Sequence, residues 1–453
     1  MKVAILGGGV TGLAAAWRLS KDGHTVRLLE AGRRLGGSVR TECIDGWMIE
    51  AGPNSFQEAS PEIRSLIGEL GLGAERVASL PASKNRYIAV KGKVIALPSG
   101  SPGGFISTPL LSLRTKLRIL LEITQRPRNR AQEASVGEFL RDHFGAELVE
   151  RVVQPFISGI YAGDPERLSA QYAFPKLWEA EGRTGSLIRA GIAGARARRA
   201  LGQPVAPAIV SFRRGLQALP DALVAALPLG SVHLNADVRS IGPGTGARWR
   251  VGWAEPEGER SGEFDSVVAA LPAWSLARLE IGPRGERPLS GLDQIEYPPV
   301  ASVFLGYRRE QVRHPLDGFG ALVAATERRS VLGVLFSSSL FDGRAPAGHV
   351  ALTAIAGGAL NPDIARLPPD ELTGRICEDL GALVGASGKP VFVRHSVWPR
   401  AIPQYNLGYG RHLEAMAQCE RANPGLHIGG SVRDGISVPD CLLSGISLAK
   451  RVS

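Results

Sequence analysis

The feature that most constrains this chain is a glycine-rich turn within its first twelve residues. Lys2 to Leu6 is a short apolar run typical of a buried parallel strand, and Gly7-Gly8-Gly9-Val10-Thr11-Gly12 follows at once. This segment matches G-x-G-x-x-G, in which the first glycine makes the turn, the second admits a pyrophosphate and the third lets helix and strand pack closely. The helix that begins here points its positive N-terminal end at the phosphates. The sequence therefore predicts a dinucleotide-binding α/β unit at the start of the chain.

An acidic residue follows the next strand at the position that such a unit requires. Thr25 to Leu29 is a second apolar run, and it ends at Glu30 and Ala31. In dinucleotide-binding folds an acid about 20 residues after the glycines meets the ribose hydroxyls. Glycine turns also occur without nucleotides, so the motif alone is weak. Strand, turn, helix, strand and acid follow one another here, which favours a nucleotide site over a purely structural turn.

Length, composition and charge indicate a globular protein with anionic partners. At 453 residues, with 44% hydrophobic and 21% charged side chains, the chain exceeds one simple core, so we expect two or three interleaved lobes. The net charge of +10 favours nucleic acid, an acidic lipid surface or a multiply carboxylated substrate. The basic residues form no aromatic-interleaved stripe and no nucleic-acid-binding motif is present, so no nucleic-acid partner is expected.

Cysteine and histidine usage predicts neither disulfides nor a metal site. The four cysteines and eight histidines are scattered without the spacing of metal ligands, and we interpret the cysteines as thiols in a reducing cytosol. The first residues run directly into the strand and the glycine turn, which leaves no room for a leader peptide. No stretch of about 18 apolar residues is free of charge, glycine or proline, so no transmembrane helix is expected. These features predict a cytoplasmic protein.

Two basic segments lie in the first half of the chain. Phe105 to Ile123 mixes leucines with Arg114, Lys116 and Arg118. Such a segment either packs its leucines on a core and exposes its basic side, or rests on an anionic lipid surface, and the core-facing interpretation is favoured. The Ala- and Arg-rich run from Arg189 to Ala200 is predicted to be a solvated helix.

Further segments resemble the amine oxidase and phytoene desaturase flavoprotein superfamily. Arg33-Arg34-Leu35-Gly36-Gly37 resembles its second glycine turn, and Trp47-Met48-Ile49-Glu50-Ala51-Gly52-Pro53 resembles the segment that passes under the flavin. The resemblance implies FAD rather than NAD as cofactor. It assigns cofactor contacts to Gly37, Ser38, Gly52, Pro53, Asn54 and Ser55. Ser38 stands where the superfamily usually has an arginine, so one contact is expected to be weaker or supplied elsewhere.

The resemblance extends to the end of the chain. Leu426 to Gly430 reads as a strand ending in a glycine turn, and Ile436-Ser437-Val438 leads into an apolar helix whose N-terminus would face the flavin. Ser231 to Val238 and Phe264 to Leu271 are predicted to be paired strands, and the superfamily places a valine at Val238 against the adenine. Trp398 resembles a tryptophan that lines the flavin; a packed loop anchor is the alternative.

Several separated motifs narrow the resemblance to the protoporphyrinogen oxidase family, which includes coproporphyrinogen oxidase-type relatives. They are Val153 to Pro165, Phe174-Pro175, Ser211-Phe212-Arg213, Leu335 to Ser338, Arg344-Ala345-Pro346 and Val438 to Cys441. The resemblance implies oxidation of a porphyrinogen by molecular oxygen in haem biosynthesis, with FAD taking hydride from a methylene bridge. Protoporphyrinogen is the favoured substrate and coproporphyrinogen the alternative. A flavin amine oxidase, a carotenoid-type desaturase, and a nucleotide-binding protein without redox activity are the rival hypotheses.

The same resemblance implies a set of substrate-binding residues. Arg86 stands where the family pairs an arginine with a substrate propionate, a role that suits the guanidinium fork. Leu322 and Leu335 match leucines that sandwich a pyrrole ring. Gly159, Ala162 and Gly163 match the loop bordering the reacting carbon, and Ile355 falls where some relatives carry a stacking phenylalanine. No catalytic acid, base, nucleophile or metal is assigned.

The predicted fold class is α/β, with a Rossmann-like FAD-binding domain interleaved with two others. The FAD-binding domain comprises residues 1–75, 205–280 and 390–453. A mixed α+β substrate domain comprises 76–95 and 281–389, and a mostly helical domain comprises 96–204. The resemblance implies that the helical domain associates with an anionic membrane surface, at the inner face of the plasma membrane, and that a homodimer can form.

Overall fold

The computed structural model describes residues 1–98, 102–200, 202 and 207–452. Its strands are β1 (Lys2–Leu6), β2 (Thr25–Leu29), β3 (Thr41–Ile44), β4 (Trp47–Glu50), β5 (Phe56–Glu58), β6 (Arg76–Ala78), β7 (Asn85–Val90), β8 (Lys93–Ala96), β9 (Ala208–Phe212), β10 (Val232–His233), β11 (Asp237–Pro243), β12 (Trp249–Glu255), β13 (Gly258–Phe264), β14 (Ser266–Ala269), β15 (Glu280–Ile281), β16 (Val300–Arg308), β17 (Gly318–Val323), β18 (Val331–Leu335), β19 (His349–Gly357), β20 (Phe392–Trp398) and β21 (Leu426–Ile428).

The helices alternate with these strands and also form a block in the first half of the chain. They are α1 (Val10–Lys21), α2 (Pro61–Glu69), α3 (Pro102–Ser107), α4 (Leu113–Glu122), α5 (Val136–Phe144), α6 (Ala146–Leu148), α7 (Gln154–Tyr161), α8 (Ala170–Ala173), α9 (Pro175–Thr184), α10 (Leu187–Ala200), α11 (Ala218–Ala225), α12 (Ala273–Leu276), α13 (Ser337–Leu340), α14 (Pro369–Val384), α15 (Gly410–Ala422) and α16 (Val438–Val452). Serines start several of them; the Ser135 hydroxyl, for example, accepts a hydrogen bond from the Glu138 amide at 3.0 Å.

A five-stranded parallel sheet forms the centre of the first layer, in the order β10-β2-β1-β14-β21. Alternate residues of β1 point to opposite faces: Val3 and Ile5 pack in the core with α1 and α16, whereas Ala4 and Leu6 pack in the core with α5 and α15. A strand with apolar residues on both faces is typical of a parallel sheet covered by helices. The predicted Rossmann-like α/β class is confirmed.

The predicted pairing of Ser231 to Val238 with Phe264 to Leu271 is wrong. β10 lies at one edge of the parallel sheet, and β2 and β1 separate it from β14. β11, which contains Val238, leaves this sheet and pairs with β12 and β15 in a separate four-stranded sheet. β14 instead fills the position between β1 and β21, where all four of its residues are buried.

A seven-stranded sheet in the order β20-β16-β19-β18-β17-β7-β8 forms the second layer. One face, which includes Ala321, Val334 and Ala354, packs on α14. The opposite face carries Leu322 and Ile355, because side chains alternate along a strand. This second face looks toward the cofactor layer, since Phe304 at one end of it packs against Trp47 of the β3–β4 hairpin.

Sheet pairing corrects the predicted domain bounds in three places. β6 (Arg76–Ala78) pairs with β9 beside the cofactor layer rather than in the substrate layer. β20 pairs with β16 and so belongs to the substrate layer, although the predicted bound at 390 places it with the cofactor. β8 extends that layer to Ala96. The predicted bound between 204 and 205 lies outside the described residues.

The block from α3 to α10 is helical, and its two basic segments behave differently. The run predicted to be a solvated helix forms α10, in which no described residue is buried. The favoured core-facing interpretation of Phe105 to Ile123 is wrong for α4, because its leucines are exposed by half or more: Leu113 by 73%, Leu117 by 53%, Leu120 by 59% and Leu121 by 64%. Of the residues that the structure describes, none lies in a helix long and apolar enough to span a membrane.

Candidate cofactor and substrate site

The first glycine turn has the geometry that a pyrophosphate requires. Gly7 adopts φ +99° and a Cβ there would lie 2.6 Å from the Ala270 carbonyl oxygen. A Cβ on Gly12 would overlap the Gly7 carbonyl oxygen, so this glycine lets α1 pack against the strand. A Cβ on Gly9, by contrast, would have no atom within 4 Å among the described residues, so the crest of the turn faces open space. α1 begins at Val10 and Thr11 without a side-chain cap, which leaves its first amides available to an anion.

Glu30 braces this turn from the end of β2. One carboxylate oxygen accepts the Gly8 amide at 2.6 Å and the other accepts the Gly32 amide at 2.7 Å. A carboxylate has lone pairs for further hydrogen bonds, so Glu30 can hold the turn and still receive ribose hydroxyls. The Ala236 amide donates to the Glu30 carbonyl at 2.8 Å. This contact holds the segment that precedes Val238 next to the end of β2, where Ala31 is exposed.

The second glycine turn lies directly beside the first. The Gly36 amide donates to the Gly8 carbonyl at 2.8 Å, and Gly37 approaches Gly9. Ser38 is exposed, and its carbonyl is so close to Gly52 that a Cβ on Gly52 would overlap it. The guanidinium of Arg34 donates to the Gly37 carbonyl at 2.5 Å and to the Val39 carbonyl at 3.2 Å. Arg34 therefore holds the turn together, and burial lowers the pKa of this guanidinium.

The C-terminal segment closes on the same place. α16 packs against α1 so tightly that a Cβ on Gly445 would overlap the Thr11 carbonyl oxygen, and Gly430 also approaches the Thr11 side chain. Ile436 and Ser437 precede α16, which begins at Val438. The predicted return of the chain end to the glycine cradle is thus present, with α16 crossing the first turn of α1 at Gly445.

Trp398 joins the cofactor layer to the substrate layer. It ends β20, and its indole N–H donates to the Ala51 carbonyl at 2.8 Å. Ala51 is followed by Gly52, Pro53, Asn54 and Ser55, which are all partly exposed. A tryptophan in this position orders the segment that was predicted to pass under the flavin, so its two predicted roles, lining the flavin and anchoring a loop, are compatible.

A buried ion pair lies under this segment. The Arg344 guanidinium lies 3.1 Å from a carboxylate oxygen of Glu50, and each side chain is 3% exposed. Glu50 also accepts hydrogen bonds from the Thr41 hydroxyl at 2.7 Å and the Leu216 amide at 2.9 Å. Burial raises the pKa of Glu50 and lowers that of Arg344. The sequence contained both residues in its motifs but gave no sign that they form a pair.

The predicted apolar substrate residues share one sheet face. Leu322 pairs with Gly333 and Gly333 with Ile355, while Leu335 pairs with Thr353. Residues two apart on a strand share a face, so the three predicted side chains form one partly exposed apolar surface. The structure thus brings the three side chains together, and their contact with a substrate stays a prediction.

The predicted glycine loop borders that surface as the end of a helix. Gly159 lies inside α7, and a Cβ there would overlap Leu322. Ala162 follows the helix in the left-handed conformation, with φ 52°, and its carbonyl accepts the Ala359 amide at 2.8 Å. Gly163 approaches the side chain of Gln404, whose Oε1 would lie 2.5 Å from a Cβ on Gly163. Gln404 is 2% exposed, and sequence reasoning did not single it out.

Arg86 is exposed at the rim of the same face. It lies two residues before Ile88, which pairs with Leu322, and its guanidinium lies 5.5 Å from the centre of the Phe319 ring. A cation over an aromatic face is held in place but keeps its donors free. The position suits an arginine that meets a carboxylate at the edge of an apolar slot.

These features define an α/β protein with a dinucleotide cradle next to an apolar sheet face. The family model described as flavin containing amine oxidoreductase matches residues 10–453. The chain belongs to this family and is therefore a flavin-dependent oxidoreductase. The superfamily resemblance inferred from the two glycine turns is confirmed.

The chain is similar over its full length to proteins of porphyrin biosynthesis. It is 33% identical to protoporphyrinogen oxidase 2, chloroplastic/mitochondrial, of Arabidopsis thaliana, covering 100% of this chain and 93% of that protein. It is 29% identical to coproporphyrinogen III oxidase of Bacillus subtilis, covering 98% and 96%. A solved structure of a protein described as a protoporphyrinogen oxidase, from Exiguobacterium, matches with a TM-score of 0.82 and 26% identity, covering 99% and 98%. The narrower resemblance inferred from the separated motifs is confirmed.

Proposed function

We propose that this protein binds FAD and oxidises protoporphyrinogen IX to protoporphyrin IX with molecular oxygen, in haem biosynthesis. The observation that carries the proposal is the junction of the glycine cradle and the apolar sheet face at Trp398 and Ala51. The full-length similarity to protoporphyrinogen oxidases supports this substrate.

The residues present fit FAD at both of its ends. The crest at Gly9 leaves room for the pyrophosphate, and the uncapped N-terminus of α1 offers it amides. Glu30 can receive the ribose hydroxyls next to the segment that carries Val238. The resemblance assigns the flavin end to the N-terminus of α16 and to the segment after Ala51, which Trp398 holds in place. When bound, FAD supplies the chemistry by accepting hydride from the substrate and passing electrons to oxygen.

The chain's own residues bind, orient and shield the substrate. Leu322, Leu335 and Ile355 offer an apolar surface to a flat macrocycle, and burying such a surface excludes water from it. Gly159 keeps α7 close to Leu322, so the slot stays narrow. Arg86 holds a propionate at the rim through paired N–H donors. The hydride and the pyrrole N–H proton that leave the substrate in each step both end in hydrogen peroxide, and no residue of this chain is assigned to the proton transfer.

The decisive experiment measures porphyrin fluorescence as FAD-loaded protein meets protoporphyrinogen in air. We expect growth well above the spontaneous rate, and no such growth in the Gly12→Ala variant, whose Cβ would overlap the Gly7 carbonyl. A wild-type rate equal to the spontaneous rate refutes the proposal. A purified protein without flavin absorbance after FAD addition refutes the cofactor assignment as well.

Coproporphyrinogen III is the second candidate substrate, because the chain is also similar to coproporphyrinogen oxidases. The two porphyrinogens differ in whether two substituents are vinyl or propionate groups. The slot is apolar along Leu322, Leu335 and Ile355, with Arg86 at its rim, and this arrangement suits the substrate with fewer carboxylates. We expect a higher kcat/KM for protoporphyrinogen in a side-by-side measurement, and a higher value for coproporphyrinogen would reverse the assignment.

The exposed leucines of α4 support a second proposal, that the helical block rests on an anionic membrane surface on the cytoplasmic side. The helix is fixed at both ends: the Ser112 hydroxyl donates to Glu147 at 2.5 Å, and Glu122 accepts the Leu187 amide at 2.6 Å. Its leucines are therefore held outward, with the exposed Arg114 among them. An apolar face flanked by cations is typical of helices that lie in the membrane interface.

A liposome flotation assay distinguishes membrane binding from a homodimer in which a second copy of the chain covers the leucines of α4. We expect the wild type to float with anionic vesicles. The Leu117→Asp/Leu121→Asp variant should remain in the fraction that does not float. Leu229→Asp is the matched control, since Leu229 is fully exposed at a distant turn. Equal flotation of all three proteins contradicts the membrane proposal. A dimer that the paired substitution dissociates would show that a second copy covers the face instead.

A further inference from the structure

Gln404 is a buried side chain whose amide spans two domains. It is 2% exposed. Its Nε2 donates to the Tyr161 carbonyl at 2.9 Å and to the Ile402 carbonyl at 3.0 Å. Only the NH₂ end of an amide can face two carbonyls, so the network fixes its orientation. Its Oε1 then points to Gly163 and is a buried acceptor with no donor among the described residues.

The backbone that Gln404 holds is strained and needs support. Tyr161 is the last residue of α7, and Ala162 adopts φ 52°, a conformation that costs about 1 kcal/mol or more for a residue with a Cβ. Such a residue persists only when its surroundings fix it. Ala359 donates to the Ala162 carbonyl from one side and Gln404 donates to the Tyr161 carbonyl from the other. These two contacts hold the turn between them.

This turn sets the position of the slot wall. Gly159 lies in α7, three residues before Ala162, and packs against Leu322. Any shift of the Tyr161 end of α7 would therefore move Gly159 against Leu322 or away from it. Tyr405, the residue after Gln404, connects this region to the cofactor layer, because its hydroxyl donates to the Ser431 carbonyl at 2.7 Å. Ser431 belongs to the segment that leads to α16.

We propose that Gln404 is a positioning residue that fixes the main chain of Tyr161–Gly163 and thereby sets the width of the porphyrinogen slot. The inference rests on the proposed function, since it concerns the substrate of that same site. Gln404 does not touch the substrate, because its amide is buried. It acts through the turn at Ala162 and through Gly159.

The first test replaces the amide with groups of similar length. Gln404→Met removes both hydrogen bonds, and a misplacement of the slot wall on the order of 1 Å is expected to cost about 10- to 100-fold in kcat/KM. Flavin content and flavin absorbance should stay at the wild-type level. Gln418→Met is the matched control, since Gln418 is exposed on α15, and it should match the wild type. Wild-type kcat/KM in the Gln404→Met variant overturns the proposal.

The Gln404→Glu variant provides a readout that general damage would not give. A carboxylate has no proton to donate to the Tyr161 and Ile402 carbonyls, whereas a protonated carboxyl has one. We therefore expect kcat/KM relative to wild type to rise as the pH falls. A ratio that does not change with pH contradicts the assigned role.

A double-mutant cycle tests the contact itself. Gly163→Ala places a methyl group 2.5 Å from Oε1, so it should cost much more in the wild type than in the Gln404→Ala background, where that atom is absent. We expect this difference in both kcat/KM and the urea midpoint of unfolding. Independent effects in both measurements overturn the proposal. A wild-type enzyme that oxidises no porphyrinogen refutes the proposed function, and the urea cycle still tests the contact in that case.

Discussion

Replacing Arg344 by methionine should destabilise the protein strongly, because it leaves the buried Glu50 carboxyl without its ion-pair partner. The two side chains are 3% exposed and 3.1 Å apart. Removing one partner of such a buried pair costs about 3–5 kcal/mol. Thr41 and the Leu216 amide still donate to Glu50, so we expect a loss near the lower end of that range.

The loss should depend on pH with a definite sign. Burial already raises the pKa of Glu50, and Arg344 opposes that rise, so the substitution raises the pKa further. A carboxyl whose pKa is higher in the folded state binds more protons there than in the unfolded state. The Arg344→Met variant should therefore be most stable below the ordinary glutamate pKa and lose stability as the pH rises toward the folded pKa of Glu50.

Urea unfolding between pH 5 and 8, followed by circular dichroism, measures the effect as a shift in midpoint. The Glu50→Gln/Arg344→Met double variant is the matched control, since it removes both charges and keeps the size of the side chains. We expect it to regain most of the lost stability, because a neutral pair has no uncompensated buried charge. The reasoning is refuted if Arg344→Met unfolds at the wild-type midpoint, or if the double variant is no more stable than the single one.

Three further predictions concern the cradle, the helical block and the slot. Gly12→Ala should purify without flavin, because its Cβ would overlap the Gly7 carbonyl; the ratio of absorbance at 450 to 280 nm, about zero for a protein without flavin, checks this. Although burial opposes it, hydrogen bonds led by that from Ser112 lower the pKa of Glu147 to about 2. Glu147 should therefore stabilise the protein above the unfolded pKa and lose that contribution as the pH falls toward 2. A smaller acid-induced drop in the urea midpoint of Glu147→Gln would confirm this, and an equal drop would contradict it. Ile355→Phe should lower KM for the porphyrinogen by about two- to tenfold through ring stacking, and a higher KM would show that the slot has no room.

The parts of the fold that depend on neighbouring residues were predictable from the sequence. β1, the glycine turn, α1 and β2 follow one another within thirty residues, and each has a local pattern of apolar residues or glycines. Their order determines a parallel unit with Glu30 at the edge of the sheet. Strand pairing over longer distances was not predictable in this way. β14 pairs with β1 and β21, from opposite ends of the chain, whereas sequence proximity had suggested β10 and β11.

The same distinction applies to the site. Leu322, Leu335 and Ile355 could be placed from a family resemblance, and sheet register then explains why they share a face. Gln404 had no local signal, because the carbonyl that it binds lies 243 residues away in sequence. Arg344 and Glu50 are separated by 294 residues. A pattern of residue types and sequence spacings cannot reveal that two polar side chains, far apart along the chain, meet in the interior.

The leucines of α4 show a different limit, which bears on function. Helical periodicity correctly indicated an apolar face but could not say what covers it, because a core and a lipid surface select the same side chains. Leu113 and Leu117 are held outward by contacts at both ends of the helix, through Glu147 and Glu122. An exposed apolar face that is this firmly fixed costs solubility and gains nothing for folding. An interaction would account for such a face, and the exposed Arg114 among these leucines supports the proposal that its partner is an anionic membrane surface.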